Sequence, residues 1–510
     1  MRGKEGYLTV YAALSLAVLL SLFLALLEST RYHTMQLEAK LVTDIAGDSI
    51  LAEYHREMFR QYGMFWMDAS YGTSRPSVEE VKEHLKYYIK KNFAVDEVFL
   101  GDYLYRDFLA LELESCNIEK VSLASDNAGE VFRKRAVEVV KSDIGLSMLE
   151  QVAGWLETVE TYGLDQADTE GEMERVDDQI KTYNGMQKQI GEEWVTIEPE
   201  NPTKKLESLK RKGILQLVLP DEKEVSTAAV DTDTLISRRK DGNGSAGNRN
   251  TSGGNAGGGT GSGMNCGNWG DQSTDSVLDS LTQRLLWQEY LIRYCGYFGN
   301  EKEECLLKYQ VEYLIAGKDN DTENLKSVVH RICTLREAAN VVYLFSDQLK
   351  CAEAEAAATL ISAALTIPEA EPVFRAAILL GWAYVESLYD VKHLLAGEKV
   401  PLIKSEADWY TDMGCVLEGM EELDTGSEAA DLQESDSVGL AYEDYLRVLL
   451  TLSSLETQTF RMMDIVEMDI RQTPGNAAFR MDGCIDRIKI QAVVESKYGY
   501  RVVIDTTKQY

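Results

Sequence analysis

The sequence predicts an α+β, mainly helical protein: an N-terminal transmembrane helix continuing into a long stalk helix, small β-hairpin elements, and a C-terminal helical domain ending in a β-hairpin. Three observations predict it. Residues 8–27 carry no charge. Residues 323–366 contain neither proline nor glycine and are rich in Ala, Leu and Glu, all good helix formers. Short runs at 109–113 and 488–492 alternate apolar with polar residues, the period of a strand with one buried face.

The apolar run comes first in the chain. Its twenty residues, at the helical rise, span the ~30 Å hydrocarbon core of a bilayer. Arg2 and Lys4 precede it and Glu28 follows, so the positive-inside bias keeps residues 1–28 as a cytoplasmic tail and anchor and exports the rest. A cleaved signal would end in small residues, and Leu27-Glu28-Ser29 is not such a site. No proline occurs from 29 to 62, and Leu37, Leu41 and Ile45 recur at helical spacing before Leu51, Tyr54 and Met58, so the anchor is expected to continue as one helix. Gly47, beside Asp48, marks a bend in it.

After a loop with Gly72 and Pro76, a helix is expected over 78–93, with Lys82, Lys86 and Lys90 on its solvated face. Residues 109–113 and 118–123 read as two strands of a hairpin across Ser115, Cys116 and Asn117. Asp126 or Asn127 then caps a helix over about 130–159. Seven acids between 165 and 178 form a solvated segment, and Pro199 and Pro202 end helical structure.

From 238 to 273 the composition turns to Gly, Asn and Ser, which cannot bury enough apolar surface to fold. This flexible linker, taken as 221–274, separates an exported stalk-plus-α+β domain at 29–220 from a mainly helical exported domain at 275–510. The latter holds the 323–366 run and a helix over 373–395 with Phe374, Ile378, Trp382, Val385 and Tyr389 on one side and Gly397 as C-cap. An acidic loop follows at 418–436, then a helix over 440–471. Its Tyr442, Tyr445, Leu449, Leu452, Met463, Val466 and Ile470 suit core packing or an assembly seam. The chain closes with a hairpin around Lys497-Tyr498-Gly499.

A formal net charge of −32 repels phosphate backbones, which argues against a nucleic-acid partner. The eight cysteines form no CxxC, so a zinc or haem site is not expected, and Cys333 and Cys351 sit in apolar runs where thiols act as small hydrophobes. None of the five histidines lies three or four residues from another. The GxGxxG at 242–247 falls inside the linker with no strand before it, so it does not predict nucleotide binding. Asp319-Asn320-Asp321 lacks the glycine and final glutamate of a calcium loop and reads as helix capping by Asp319 or Asp321. Glu353 with Glu355, or Glu386 with Asp390, have the residue types of an acid and base, but carboxylates at such spacings are common on helices. No catalytic, cofactor-binding or metal residue is assigned, and a non-enzyme is expected.

The opening GYLTVYAALSLAVLLSLFLALLE resembles the start of TadE/TadG-type pseudopilins of tight-adherence (Flp) pilus systems. Four further segments resemble an uncharacterised family of membrane-anchored proteins from Gram-positive bacteria. These are LELESCNIEKVSLASDNAGEVFRKRAVEVV at 111–140, EYLIAGKDNDTENLKSVVHRICTLREAANVVYLFSD at 312–347, KVPLIKSEADW at 399–409 and YEDYLRVLL at 442–450. That resemblance implies neighbours among tight-adherence pilus genes, and hence pilus or secretion-machine proteins as partners besides the bilayer. The pseudopilin-like opening marks Gly6, Tyr7 and Tyr11 as the positions for prepilin-type processing or assembly. Cleavage after Gly6 would place Tyr11 at the fifth mature position, where such prepilins carry glutamate; the departure implies an accessory or minor component with its anchor kept. A membrane-tethered binding module for an envelope polymer or protein is the alternative, and an exported hydrolase a weaker one.

Overall fold

The computed structural model describes residues 5–93, 109–143, 145–190, 193–206, 209, 213–219, 224–239, 280–417 and 439–510. They are mostly helical with a few antiparallel strands, as the composition predicts. The chain divides into two compact units, one within residues 1–135, 238–276 and 470–510, the other within 136–237 and 277–469. Each therefore draws on both sides of the Gly/Asn/Ser run.

The strands among the described residues are β1 (Met67–Asp68), β2 (Leu111–Leu123), β3 (Met186–Ile190), β4 (Glu193–Ile197), β5 (Cys484–Ser496) and β6 (Arg501–Gln509). In the first unit β5 is central: β2 runs antiparallel along one edge, and β6 and the short β1 share the other. The expected β5–β6 hairpin is present. The expected hairpin within 109–123 is not, because β2 is one strand whose partner is β5. The Ser115 to Asn117 turn signal is taken up as a register shift between Leu113 and Ser115, an extra residue absorbed as a bulge.

Helix α1 (Glu5–Leu51) runs 47 residues, about 70 Å at the helical rise. Its apolar side chains are exposed along the uncharged run, and then Met35, Ala39, Val42, Ala46 and Ile50, three or four residues apart, turn into the core. They meet Val81, Leu85 and Ile89 of α3 (Val78–Phe93) and Ile488, Ile490 and Ala492 of β5. The stripe read from the sequence is the opposite face: Leu37, Leu41 and Ile45 are 69%, 57% and 41% exposed. The sequence carries two apolar stripes here, and only packing decides which one faces the sheet.

Gly47 does not bend α1. A Cβ there would lie 2.7 Å from Lys508 Cγ and 3.1 Å from Ile490 Cδ1, so the missing side chain lets the helix sit against β5 and β6. Thr506 Oγ1 donates to Asp44 Oδ1 at 2.6 Å and Lys508 pairs with Asp48 at 2.9 Å across the same contact. Gly47→Val is expected to destabilise the first unit by about 1–3 kcal/mol through overpacking, read as a lower midpoint in urea unfolding.

The helix ends at Leu51, short of the expected 62. A two-residue turn and a bridge between Tyr54 and Met67 follow, and a separate α2 (Arg56–Tyr62) begins where His55 Nδ1 accepts from Met58 N at 3.3 Å. The expected helix over 130–159 is also two, α4 (Asp126–Val140) and α5 (Leu146–Tyr162), with Gly145 ahead of the second. At the start of α4, Asn127, Ala128 and Gly129 are left-handed, and Asp126 Oδ2 accepts from Leu123 N at 2.8 Å.

The second unit contains α5 and, after it, α6 (Thr169–Lys181), α7 (Ile214–Val218), α8 (Ser280–Tyr294), α9 (Gln310–Ala316), α10 (Asp321–Ser346), α11 (Gln348–Ala364), α12 (Glu371–Ala396), α13 (Met413–Leu417), α14 (Tyr442–Leu452) and all but the end of α15 (Leu455–Arg471). The β3–β4 hairpin belongs to it as well. Helix α12 is its axis, packing on α6, α10 and α11. It buries Phe374, Ile378, Trp382 and Val385 and ends, as the sequence predicts, at left-handed Gly397.

The uninterrupted run at 323–366 breaks at Asp347, whose Oδ1 accepts from Leu349 N at 2.9 Å and Lys350 N at 3.1 Å, capping α11. No glycine or proline is needed, because a capping carboxylate offers the amides an alternative to the helix. The 440–471 helix likewise splits at Ser453, whose Oγ donates back to Leu449 O at 3.0 Å. Six of the seven seam residues pack into the core, and Leu452 is exposed.

Part of the segment assigned to the linker is packed. Ala229 bridges Asn320, Val230 N donates to Asp319 O at 2.8 Å, and Leu235 is buried. The GxGxxG at 242–247, Cys266 and the acidic loop at 418–436 lie outside the described residues.

Candidate functional site

The residues singled out for processing or assembly lie in the first turns of α1. Tyr7 and Tyr11 are 81% and 70% exposed, one turn apart on the apolar half of the helix. Among the described residues α1 is the one helix long and apolar enough to cross a membrane, which is consistent with a single-pass anchor. Tyr11 brings no charge to that surface.

A second feature lies where α1 ends. An open cavity of about 370 Å3 in the first unit is lined by Glu53, His55, Arg56, Glu57, Asp68 and Tyr71, among others. Glu53 organises one wall: it accepts from Tyr71 Oη at 2.8 Å and Tyr88 Oη at 2.7 Å, and His84 Nδ1 lies 3.1 Å from it. Burial, then the hydrogen bond to Glu53, pushes the Tyr71 hydroxyl far above its ordinary range, so it stays a proton donor to that carboxylate. Tyr71 holds a left-handed φ of 47°, a conformation costly for an aromatic residue. His55 Nε2 faces Asn476 Oδ1 at 3.1 Å on the other wall. Neither histidine nor Glu53 was distinguishable in the sequence, since their partners come from separate elements. No group of His, Cys, Asp and Glu among the described residues has the geometry to hold a metal ion.

The third feature is a charge network inside the second unit. Glu386 and Asp390, one turn apart on α12, do come together, but with two cations: Arg336 from α10 and Lys404 from the loop after α12. All four side chains are 0% exposed. Arg336 Nε donates to Asp390 Oδ2 at 2.9 Å, Nη1 to the carbonyls of Pro401 and Leu402 at 2.9 and 2.6 Å, and Nη2 to Asn340 Oδ1 at 3.1 Å. Tyr445 Oη lies 3.3 Å from Nη1. Glu386 Oε1 accepts from Lys404 Nζ and from Tyr410 N, and Oε2 from Thr411 N and Oγ1. Burial alone would raise the Asp390 carboxyl; the Arg336 guanidinium and Lys404 ammonium beside it overcome that and hold it below the usual carboxylate range.

Three of the segments quoted for the family resemblance converge here. The 312–347 stretch supplies Arg336 and Asn340, KVPLIKSEADW supplies two carbonyls and Lys404, and YEDYLRVLL supplies Tyr445. Glu353 and Glu355, by contrast, stand exposed on α11. Asn320, not Asp319 or Asp321, caps α10, accepting from Glu323 N at 2.8 Å. Asp321 is buried and accepts from Lys308 N, Tyr309 N and Ser226 Oγ. Four of the described cysteines, Cys116, Cys295, Cys333 and Cys484, are buried, while Cys351 is half-buried.

An anchor-type helix fused to a small antiparallel sheet, with a second, helical unit built on a buried charge network, is the class of protein these features define. The profile of a family of unknown function (DUF5702) matches residues 192–496, more than half of the chain, and the protein belongs to that family. No curated protein and no solved structure matches the chain.

Proposed function

We propose that the protein is a non-enzymatic, single-pass surface protein, an accessory or minor pseudopilin-like component of a tight-adherence pilus or related secretion system. Its N-terminus is cytoplasmic and the bulk of the chain lies outside the membrane. The observation that carries this reading is the continuity of α1: the helix whose first half is wholly exposed and apolar is also the helix on which the sheet of the first unit packs. A load on that unit is thus transmitted to the anchor through a single rigid element. Support also comes from the pseudopilin-like opening and from uncharged Tyr11, which suits an accessory better than a fibre subunit. The exposed Leu37, Leu41 and Ile45 extend the apolar surface of the anchor beyond it.

The test is affinity capture of the full-length protein from gently solubilised native membranes. Recovery of the pilus ATPase, platform or pilin subunits is expected, and their consistent absence contradicts the reading. A membrane-tethered binding module is the second reading, favoured by the open cavity beside Glu53. Under it the captured partner is an envelope polymer or protein and pilus subunits are missing.

A further inference from the structure

The charge network of the second unit has the layout of a reaction site as well as of an ion pair. Lys404 returns over α12 so that its ammonium touches both carboxylates, 2.5 Å from Asp390 Oδ1 and in contact with Glu386 Oε1. The rings of Tyr410 and Trp409 lie 4.1 and 5.5 Å from Nζ and close the site over it. The two carboxylates are held differently. Both Glu386 oxygens accept two hydrogen bonds each, which fixes it as an acceptor. Asp390 has Oδ2 gripped by Arg336 Nε and Asn340 Nδ2, both at 2.9 Å, while Oδ1 faces the Lys404 ammonium.

We propose that Lys404 and Asp390 become joined by an intramolecular amide bond between Nζ and Cγ, with Glu386 carrying the protons. The Lys404 ammonium gives one proton to Glu386, which passes it to Asp390 Oδ1, and the neutral amine attacks the now neutral carboxyl at Cγ. Charge developing on Oδ2 is met by the Arg336 guanidinium and the Asn340 amide, donors already in place for an oxyanion. The attacking nitrogen releases a second proton to Oδ1 by the same route, the Cγ–Oδ1 bond breaks, and Oδ1 leaves as water. One ammonium and one carboxylate become one amide and one water, Glu386 returns to its carboxylate, and no oxidant is involved. Two terms drive a condensation that is unfavourable in bulk water. Fixed neighbours act at effective molarities of up to ~10⁵–10⁸ M, and the amide replaces two charges whose burial is costly.

The experiment is mass spectrometry of the full-length protein purified from membranes, intact and after denaturation and trypsin digestion. The expected intact mass is one water below that of the sequence. Trypsin fails to cut after Lys404, and a branched peptide appears whose fragments place the link between Asp390 and Lys404. Linear peptides ending at Lys404 with the full mass overturn the proposal, as does a branch through Glu386. In Glu386→Gln, monitored for folding by circular dichroism, the linear peptides are expected to dominate. A folded variant that still forms the complete cross-link removes Glu386 from the reaction. If that variant fails to fold, the mass of the wild-type protein decides alone.

Discussion

Replacing Arg336 with methionine is expected to destabilise the second unit by about 3–5 kcal/mol, the range for removing one partner of a buried ion pair. The side chain has no solvent exposure and donates to Asp390, Asn340 and two backbone carbonyls. Methionine fills much of the volume but takes from Asp390 Oδ2 one of its two donors and leaves the carbonyls of Pro401 and Leu402 without theirs, each a desolvation penalty with nothing returned. Domains of this kind are stable by only ~5–15 kcal/mol, so the loss takes a large share of the total. Trp382 and Trp409 flank the network, and their fluorescence during urea unfolding reports it directly. A loss below about 1 kcal/mol would mean that the charges are solvated and that the network contributes little to the unit's stability.

The second large effect is on pH dependence. Glu312 is fully buried on α9; its Oε1 accepts from Phe298 N at 2.9 Å and Tyr442 Oη at 2.9 Å, while Oε2 has no hydrogen-bond partner. Burial pushes its pKa up from 4.5 to about 7, against the pull of those donors. Between these two values the folded state holds more protons than the unfolded one, so stability falls as pH rises from 4.5 to 7 and the full penalty, on the order of 3 kcal/mol, stands above pH 7. Glu312→Gln keeps the acceptor atom and removes the charge. Its stability relative to wild type is expected to improve by roughly 2–3 kcal/mol between pH 5 and pH 7.5, measured by paired urea titrations. Asp464, raised to about 6 by burial, contributes in the same direction but is common to both proteins and cancels in the difference. Parallel curves at both pH values would contradict the assignment.

Local rules read well wherever the chain's own residues decide the outcome. The 78–93 helix, the Gly397 stop and the C-terminal hairpin follow from periodicity and turn chemistry in the residues themselves. The anchor-type run was legible because twenty uncharged residues leave few alternatives. Part of what the sequence misleads on depends on distant partners. Strand β2 looked like a hairpin because its partner β5 is near the other end of the chain, and for the same reason a division at the Gly/Asn/Ser run does not coincide with the division by contacts. Helix breaks at Asp347 and Ser453 were missed because acids and serines are tolerated on helix surfaces, and only their side-chain bonds reveal a boundary.

The charge network was half visible. Glu386 and Asp390 stand out as a pair of carboxylates at helical spacing, but nothing in the sequence marks Lys404 and Arg336 as their partners, because the loop after α12 and a separate helix bring them in. A lysine between Pro401 and Trp409, with Glu406 and Asp408 close by, as in KVPLIKSEADW, is the signal that was available. The cavity beside Glu53 left none, since its walls come from the turn after α1, the start of α2, β1 with the loop that follows it, and Asn476.

The central claim, one helix serving as both membrane anchor and spine of an exported unit, is most directly tested by adding protease to intact native cells stripped of their wall. The account predicts that the chain beyond about residue 29 is digested from outside while a short N-terminal fragment stays protected in the membrane. A full-length protein that survives on intact cells and is cut only after lysis would contradict it.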